Sequence, residues 1–317
     1  MSFTIRRMTE ADYEAAARIA SGVYNETVTA ESIRFEISMM DERCKWAAWL
    51  AEVGGEPVGV GQYSQLVSFY HPQKFQVNVQ VLPAYRGRGI GTALYNQLME
   101  ALAPFDPISL TGGAREDWPD TLAFLTKRGW EERLRNWESH LAVPEFDPAP
   151  WQGLLAEVSA KGYTVKRLSE LQAEPGWNHR LYELIMELRR DVPSHEPWQD
   201  VPYEQWAKVL SNPHFFPEGY MVGLHGDRWV GVSALWKSDD EGVLTVGLTG
   251  VQREHRGSGI AKAMKVRAIE AAREFGAKKI KTWNESNNQR MLAINDQLGF
   301  VRQPAWIFFQ KKLKEEA

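Results

Sequence analysis

The 317-residue chain contains one cysteine, Cys44. A single thiol excludes an intramolecular disulfide framework and an all-cysteine zinc site, and it points to a reducing compartment. The seven histidines show no H-x-x-x-H spacing, so no metal is expected. Long apolar runs are missing too. No window approaches the roughly 18 apolar residues of a membrane span, and Met1–Glu10 lacks the apolar core of a signal peptide. A soluble cytoplasmic protein with no membrane partner is expected. Nor does one sign of charge dominate: 37 basic and 41 acidic side chains leave a net charge of −4. A general nucleic-acid binder would need a surplus of Lys and Arg, so no nucleic-acid partner is expected. What remains is an ordinary globular composition, 44% hydrophobic and 25% charged, on a chain long enough for two cores. Its one excess is aromatic, with 13 tryptophans.

The chain reads as two copies of one plan. Ile5-Arg6-Arg7-Met8-Thr9-Glu10 and Val165-Lys166-Arg167-Leu168-Ser169-Glu170 both run from a short strand into an acidic helix start. Further on, Arg86-Gly87-Arg88-Gly89-Ile90-Gly91 matches Arg256-Gly257-Ser258-Gly259-Ile260-Ala261, and Gly129-Trp130 matches Gly299-Phe300. Both later pairs hold one offset, and a single net insertion in the second copy reconciles them with the first pair. Duplication explains this register and two unrelated domains do not. The boundary is marked by Val143–Pro150, with prolines at 144, 148 and 150, and by a polar helical connector over roughly Trp151–Lys161. The expected domains are residues 1–143 and 163–317, with 144–162 as linker.

Within each copy the glycines lie between a strand and a helix. Phe75–Val81 alternates as a half-buried strand does, and Ile90, Leu94, Leu98 and Leu102 form a helical stripe that Pro104 stops. The second copy repeats this with a strand over Val243–Val251 and a helix from about Gly259, capped by Gly276. A strand over Lys279–Trp283 then leads to a helix over Asn287–Gln297. Lys45–Val53 and Val58–Ser64 meet at Gly54-Gly55, a hairpin turn. Mixed strands and helices imply a mixed α/β sheet in each half.

An arginine followed by spaced glycines at a strand-to-helix junction favours a phosphate. The first N–H groups of the helix lack intrahelical partners and carry the positive end of its dipole, and glycine lets a ligand approach the backbone. Arg86 and Arg256 add charge there, so a pyrophosphate is the natural ligand. The P-loop pattern fails in both copies, which lack Gly-Lys-Ser/Thr. The dinucleotide fingerprint fails at Thr92 and Lys262, where it requires glycine.

Val81–Gly91 and Val251–Ala261 resemble the pyrophosphate motif of the GNAT superfamily of acyl-CoA N-acyltransferases, in its tandem form. The resemblance implies a mixed α/β fold of two tandem GNAT-like domains. Each would be a mostly antiparallel sheet flanked by helices, with a strand pair splayed at a bulge before the loop. It implies acetyl-CoA as acyl donor, bound by Val81, Arg86, Gly87, Arg88, Gly89, Ile90 and Gly91. In the second copy the matching residues are Val251, Arg256, Gly257, Ser258, Gly259, Ile260, Ala261 and Asn288. The backbone N–H near Val81 or Val251 would bond the thioester carbonyl. Asn288 stands where an asparagine of the family contacts CoA, although asparagines in such a run also cap helices. Where many members carry a tyrosine acid, four residues before Gly299, this chain has Asn295. The first copy has Trp118 and Leu125 at the two positions, so the second copy is the better catalytic candidate.

The implied activity is transfer of an acetyl group to a primary amine of a small molecule or peptide, by a monomer or homodimer. The alternative is a non-catalytic acyl-CoA-binding or sensing protein. No catalytic residue can be named. Gln76–Val81 and Leu244–Val251 contain no carboxylate base, which leaves Thr249 through a water, Glu285, Glu254 or His255. The stretch Pro193–Phe216, with His195, Trp198, Tyr203, Trp206 and His214, either walls the acceptor site or is ordinary helix packing.

Overall fold

The computed structural model describes residues 2–194, 196 and 198–315, so His195 lies outside the described residues. The chain forms two compact units: Met1–Leu134 with Trp306–Ala317, and Arg135–Ala305. Relative to the expected division, the last strand belongs with the first unit, and Arg135–Val143 with the second.

The first unit runs β1 (Thr4–Arg7), α1 (Tyr13–Tyr24), α2 (Ala30–Ser38), β2 (Trp46–Val53), β3 (Glu56–Ser64), β4 (Lys74–Val81), α3 (Ile90–Leu102), β5 (Ser109–Arg115) and α4 (Pro119–Thr126). β6 (Glu131–Ala142) crosses into the second unit. There follow α5 (Leu154–Ala160), β7 (Tyr163–Arg167), α6 (Leu168–Leu171), α7 (Trp177–Arg189), α8 (Tyr203–Ala207), β8 (Phe215–His225), β9 (Arg228–Lys237) and β10 (Val243–Val251). Then come α9 (Ile260–Glu274), β11 (Lys279–Glu285), α10 (Gln289–Gln297) and β12 (Val301–Arg302), and β13 (Trp306–Lys312) ends the series.

Each unit builds a mostly antiparallel sheet. In the first, β1 to β4 pair antiparallel in chain order, β5 joins β4 in parallel, and β13 closes the edge against β5. In the second, β7 to β10 pair antiparallel, β11 joins β10 in parallel, and Asn136–Ala142 of β6 pairs with β11. The β2–β3 hairpin turns at Gly54 and Gly55, whose φ values of +60° and +84° suit a two-residue turn of the kind that matches strand twist.

The helix after each glycine loop is locked down by burial. Ile90, Leu94, Leu98 and Leu102 are all 1% exposed or less, and each such side chain contributes about 1.5–3 kcal/mol on leaving water. Close approach of helix to sheet requires a strand residue without Cβ. A Cβ on Gly59 would stand 3.0 Å from the Gln80 carbonyl and 3.2 Å from Leu94. One on Gly231 would stand 2.9 Å from both the Gly250 carbonyl and Met264. Gln80 and Gly250, like Leu94 and Met264, are equivalent in the repeat, so the duplication persists in the packing.

Candidate active site

In both units the strand before the glycine loop parts from its parallel neighbour. β4 pairs with β5 only at Lys74–Gln76, and β10 with β11 only at Val243–Thr245. Beyond those residues the strands form an open fork, because each is held by a different antiparallel partner. The two forks differ in one respect. β10 shifts register against β9 between Val246 and Thr249, which places a bulge at Gly247 and Leu248. β4 pairs with β3 in unbroken register from Gln76 to Val81, so the bulge expected in both copies is present only in the second. A bulge leaves one residue outside the ladder and bends the strand.

The two glycine loops share one conformation. Gly87 and Gly89 have φ of +73° and +82°, and Gly257 and Gly259 have +77° and +96°, a region open to glycine and strained for other residues. Arg86 and Arg256 brace the loops in the same way, each donating from Nε to the carbonyl of Val81 or Val251 at 3.0 Å. Arg256 also pairs with Asp191, which takes Arg253 as well. The two arginines hold the Asp191 carboxyl down at about 2. Much of the charge expected of Arg256 at the loop is therefore met within the protein.

The second loop opens onto a cleft of about 910 Å³. Thr249–Val251 form one wall, Arg256–Lys262 the floor, and Asn287–Met291 the start of α10 opposite. Gly259 is the N-cap of α9 and offers no capping side chain; the Ile260 N–H meets Ser258 Oγ at 3.4 Å, and residues 260–262 of the first turn line the cleft. Lys262 and Arg290 also line it. A diphosphate on an extended thiol arm fits this volume, these donors and these cations. Asn288 lines the cleft, and its Oδ1 accepts a 3.3 Å bond from the Met291 N–H as the N-cap of α10, the capping role considered for it.

A smaller cavity of about 190 Å³ lies at the fork, sharing Val192, Pro193, Thr249, Asn288 and Met291 with the cleft. The bulge residues Gly247 and Leu248 line it, with Arg189, Lys265 and Glu285. Burial pushes the Lys265 ammonium down to about 8 and raises the Glu285 carboxyl above its ordinary range. Glu285 is 9% exposed, unlike Glu254, which lies exposed on the surface opposite Arg228. His255 is buried, and its Nδ1 is 3.0 Å from the Tyr163 hydroxyl. Thr249 Oγ1 is 3.0 Å from Ser233 Oγ. Of the four proton carriers considered from sequence, Glu285 and Thr249 thus face the fork cavity. Asn295 is buried and donates to Asn284 at 2.6 Å.

The fork of the first unit is aromatic instead. Tyr24, at the end of α1, accepts from the amides of Asn78 and Gln80 on the parted half of β4, at 3.0 and 2.8 Å. Its ring stacks on Trp118 at 6.0 Å, and Trp306 meets both edge-on at 5.9 and 5.4 Å. In the second unit, Tyr203 of the aromatic stretch stacks on His179 at 3.8 Å and Trp206 is buried beside Tyr182. These are helix-packing contacts of α7 with α8. His214 pairs with Asp239 at 3.1 Å, and among the described residues of the stretch Pro193 lines both cavities.

Sequence reasoning missed Arg189 and Lys265. Arg189 stands at the end of a helix beside a second arginine and has no local signature. Lys265 follows Met264 on the stripe that faces the sheet, where a charged residue breaks the apolar pattern; that break was the available signal.

Residues 20–130 and 178–300 match the Acetyltransferase (GNAT) family. Mycothiol acetyltransferase of Geodermatophilus obscurus is 23% identical over 232 residues, 72% of this chain and 70% of that protein. N-alpha-acetyltransferase 30 of Schizosaccharomyces pombe is 28% identical over 131 residues, covering 40% of this chain and 81% of the relative. A tandem GNAT protein from the clavulanic acid biosynthesis pathway superposes with a TM-score of 0.76 at 18% identity, with 100% of both chains covered. A GCN5-related N-acetyltransferase from Sphaerobacter thermophilus gives 0.74 at 19%, covering 99% and 97%. The two structural likenesses carry the fold. The family match falls on both copies of the repeat and spans most of the chain, which therefore belongs to the GNAT acetyltransferase family as a tandem, acyl-CoA-dependent acetyltransferase.

Proposed function

We propose that the second unit transfers an acetyl group from acetyl-CoA to the primary amine of a small acceptor in the cytoplasm. The observation that carries this reading is the continuity of the glycine-loop cleft with a bulged fork. The first has the donors and volume for a diphosphate arm, and the second has backbone N–H groups released from the ladder. Bound acetyl-CoA supplies the activated thioester. In this reading the N–H groups at Gly247–Leu248, rather than the one near Val251, bond the carbonyl oxygen as negative charge develops there. Glu285, its carboxyl raised above the ordinary range by burial and so a stronger base, takes the proton from the attacking amine in its ionised form. Holding both partners at the fork supplies a further part of the rate. Residues Val251, Arg256–Ala261 and Asn288 form the donor site in this reading, with the first loop, Val81 and Arg86–Gly91, as scaffold or weaker site.

The test is release of thiol from acetyl-CoA with a panel of amines, beside calorimetry with CoA. The chain contributes only the thiol of Cys44 to the background. Amine-dependent thiol release supports transfer. Binding without any release leaves acyl-CoA binding or sensing as the function, and absence of binding removes the proposal.

A further inference from the structure

Two adjacent arginines end α7 and face opposite fates. Arg190 points outward and pairs with Asp200. Arg189 turns inward to line the fork cavity, with its guanidinium 5.6 Å from the Trp198 ring. Among the described residues no carboxylate pairs with it, and burial holds it below the usual arginine range. A second cation lines the same cavity: Lys265, 3% exposed and likewise without an ion pair. Glu285 is the cavity's single carboxylate among the described residues, and it forms no ion pair with either. Elsewhere in the chain, part-buried arginines such as Arg167, Arg180 and Arg267 meet acids, Glu274, Glu174 and Glu270.

A guanidinium cannot escape burial by losing its proton, so keeping one unpaired at a cavity wall is unfavourable unless something else supplies the anion. The pyrophosphate is not that anion. Arg189 lines the fork cavity and not the cleft at the glycine loop. The cavity is also smaller than the roughly 300–1,000 Å³ of drug-sized pockets, which favours a compact acceptor. Building on the acetyltransferase reading, we infer that the acceptor is a small amine bearing a carboxylate, an amino acid, and that Arg189 binds this carboxylate as a two-pronged donor while Lys265 adds to the positive field. The planar fork of arginine matches a carboxylate in shape as well as charge.

The experiment compares L-amino acids with their α-carboxamides as acceptors, using wild type, Arg189→Ala and Arg189→Lys with acetyl-CoA. Wild type is expected to prefer the acids by at least about tenfold in kcat/KM, the effect of one charge-assisted pair. Arg189→Ala is expected to abolish that preference through KM, and Arg189→Lys to retain part of it. CoA affinity by calorimetry should stay near wild type in both variants and the melting temperature should not fall, which separates acceptor binding from damage to the fold. Amides used as well as acids by wild type, or a preference that survives Arg189→Ala, overturns the inference and leaves the acetyltransferase reading standing. A CoA-bound protein that neither acetylates nor, by calorimetry, binds any amino acid in the panel overturns the inference as well. Loss of CoA binding altogether is the separate failure of the parent reading.

Discussion

Replacing Lys265 by Met should make the protein more stable at pH 7 and less active. The lysine is 3% exposed, and burial alone lowers its pKa from 10.5 to about 8. A difference of that size corresponds to about 3 kcal/mol favouring the neutral form. The sign follows from proton binding in the two states. Below about pH 8 the lysine is protonated both folded and unfolded, so the native state carries the whole desolvation penalty. Between 8 and 10.5 the unfolded chain holds the proton and the folded one does not, so stability rises with pH. Methionine keeps the length of the stem and its packing near Phe300, which the ammonium now faces at 5.2 Å, and it carries no charge. The variant should therefore gain up to about 3 kcal/mol at pH 7, an increment of roughly 2–4 °C in Tm per kcal/mol for a unit of this size. The gain should shrink toward zero by about pH 10.5. The charged groups sharing the cavity are Arg189 and Glu285, and the comparison with wild type at each pH cancels groups elsewhere. Urea titrations followed by tryptophan fluorescence at pH 7, 8, 9 and 10 measure the difference. A variant less stable than wild type at pH 7, or a difference that does not vary with pH, would falsify the desolvation argument. Parallel thiol-release assays should show lower activity, since a residue kept at such a cost is retained for what it does in the site.

Other perturbations test the remaining links. Glu285→Gln should lower kcat by about 10²–10⁴-fold and remove the rise of rate with pH through the raised Glu285 pKa; a full-rate variant with the same pH profile excludes Glu285 as the base. Gly259→Glu should weaken CoA binding more than Gly89→Glu. Calorimetry is read against the melting of each variant, because both positions are strained for a side chain and only Gly259 has a neighbour, Val158, 3.3 Å from the added Cβ. Equal losses or the reverse order would place the donor site in the first unit. Gly231→Ala should destabilise by about 1–3 kcal/mol through overpacking, since its Cβ must displace the Gly250 carbonyl at the edge of the cleft; a neutral melt would show that α9 has room to move.

The repeat and its loops were legible because they rest on local rules. Spaced glycines with positive φ, a stripe of four aliphatic residues at helical spacing, and a Gly-Gly hairpin each demand one backbone geometry, and the structure adopts it at each place. The extent of the fork was not legible, since it depends on partners distant in sequence. β5 and β11 leave their neighbours because β13 and β6 hold them from the other side, and no local pattern announces that β13 belongs with the first unit. The bulge was expected from the family resemblance in both copies, and its presence at Gly247-Leu248 alone was not legible for the same reason. A register shift is a property of two strands, and Val243–Val251 read alone alternates no differently from a regular strand. Arg256 shows a third limit: its charge is visible in sequence, and its neutralisation by Asp191, 65 residues away, is not.

Equivalent positions across the duplication differ in a way that supports the proposal of an active second unit. Trp118 answers to Asn288, Leu125 to Asn295 and Tyr95 to Lys265. In the first unit these positions settle into internal contacts. Trp118 packs on Tyr24, which satisfies the amides of Asn78 and Gln80, and Tyr95 accepts from Lys311 at 3.2 Å. In the second unit Asn288 caps α10, but the others are not all satisfied: among the described residues Asn295 Oδ1 is buried without a partner, and Lys265 and Arg189 face a cavity in which neither forms an ion pair. A buried polar group left unmet costs about 1–3 kcal/mol, more if charged. A fork shaped only by folding stability would move toward the aromatic, self-satisfied form seen in the first unit. The second has kept two such charges, Arg189 and Lys265, together at one cavity of about 190 Å³, and a bound acceptor with both a proton to give and a negative charge to place would relieve them at once.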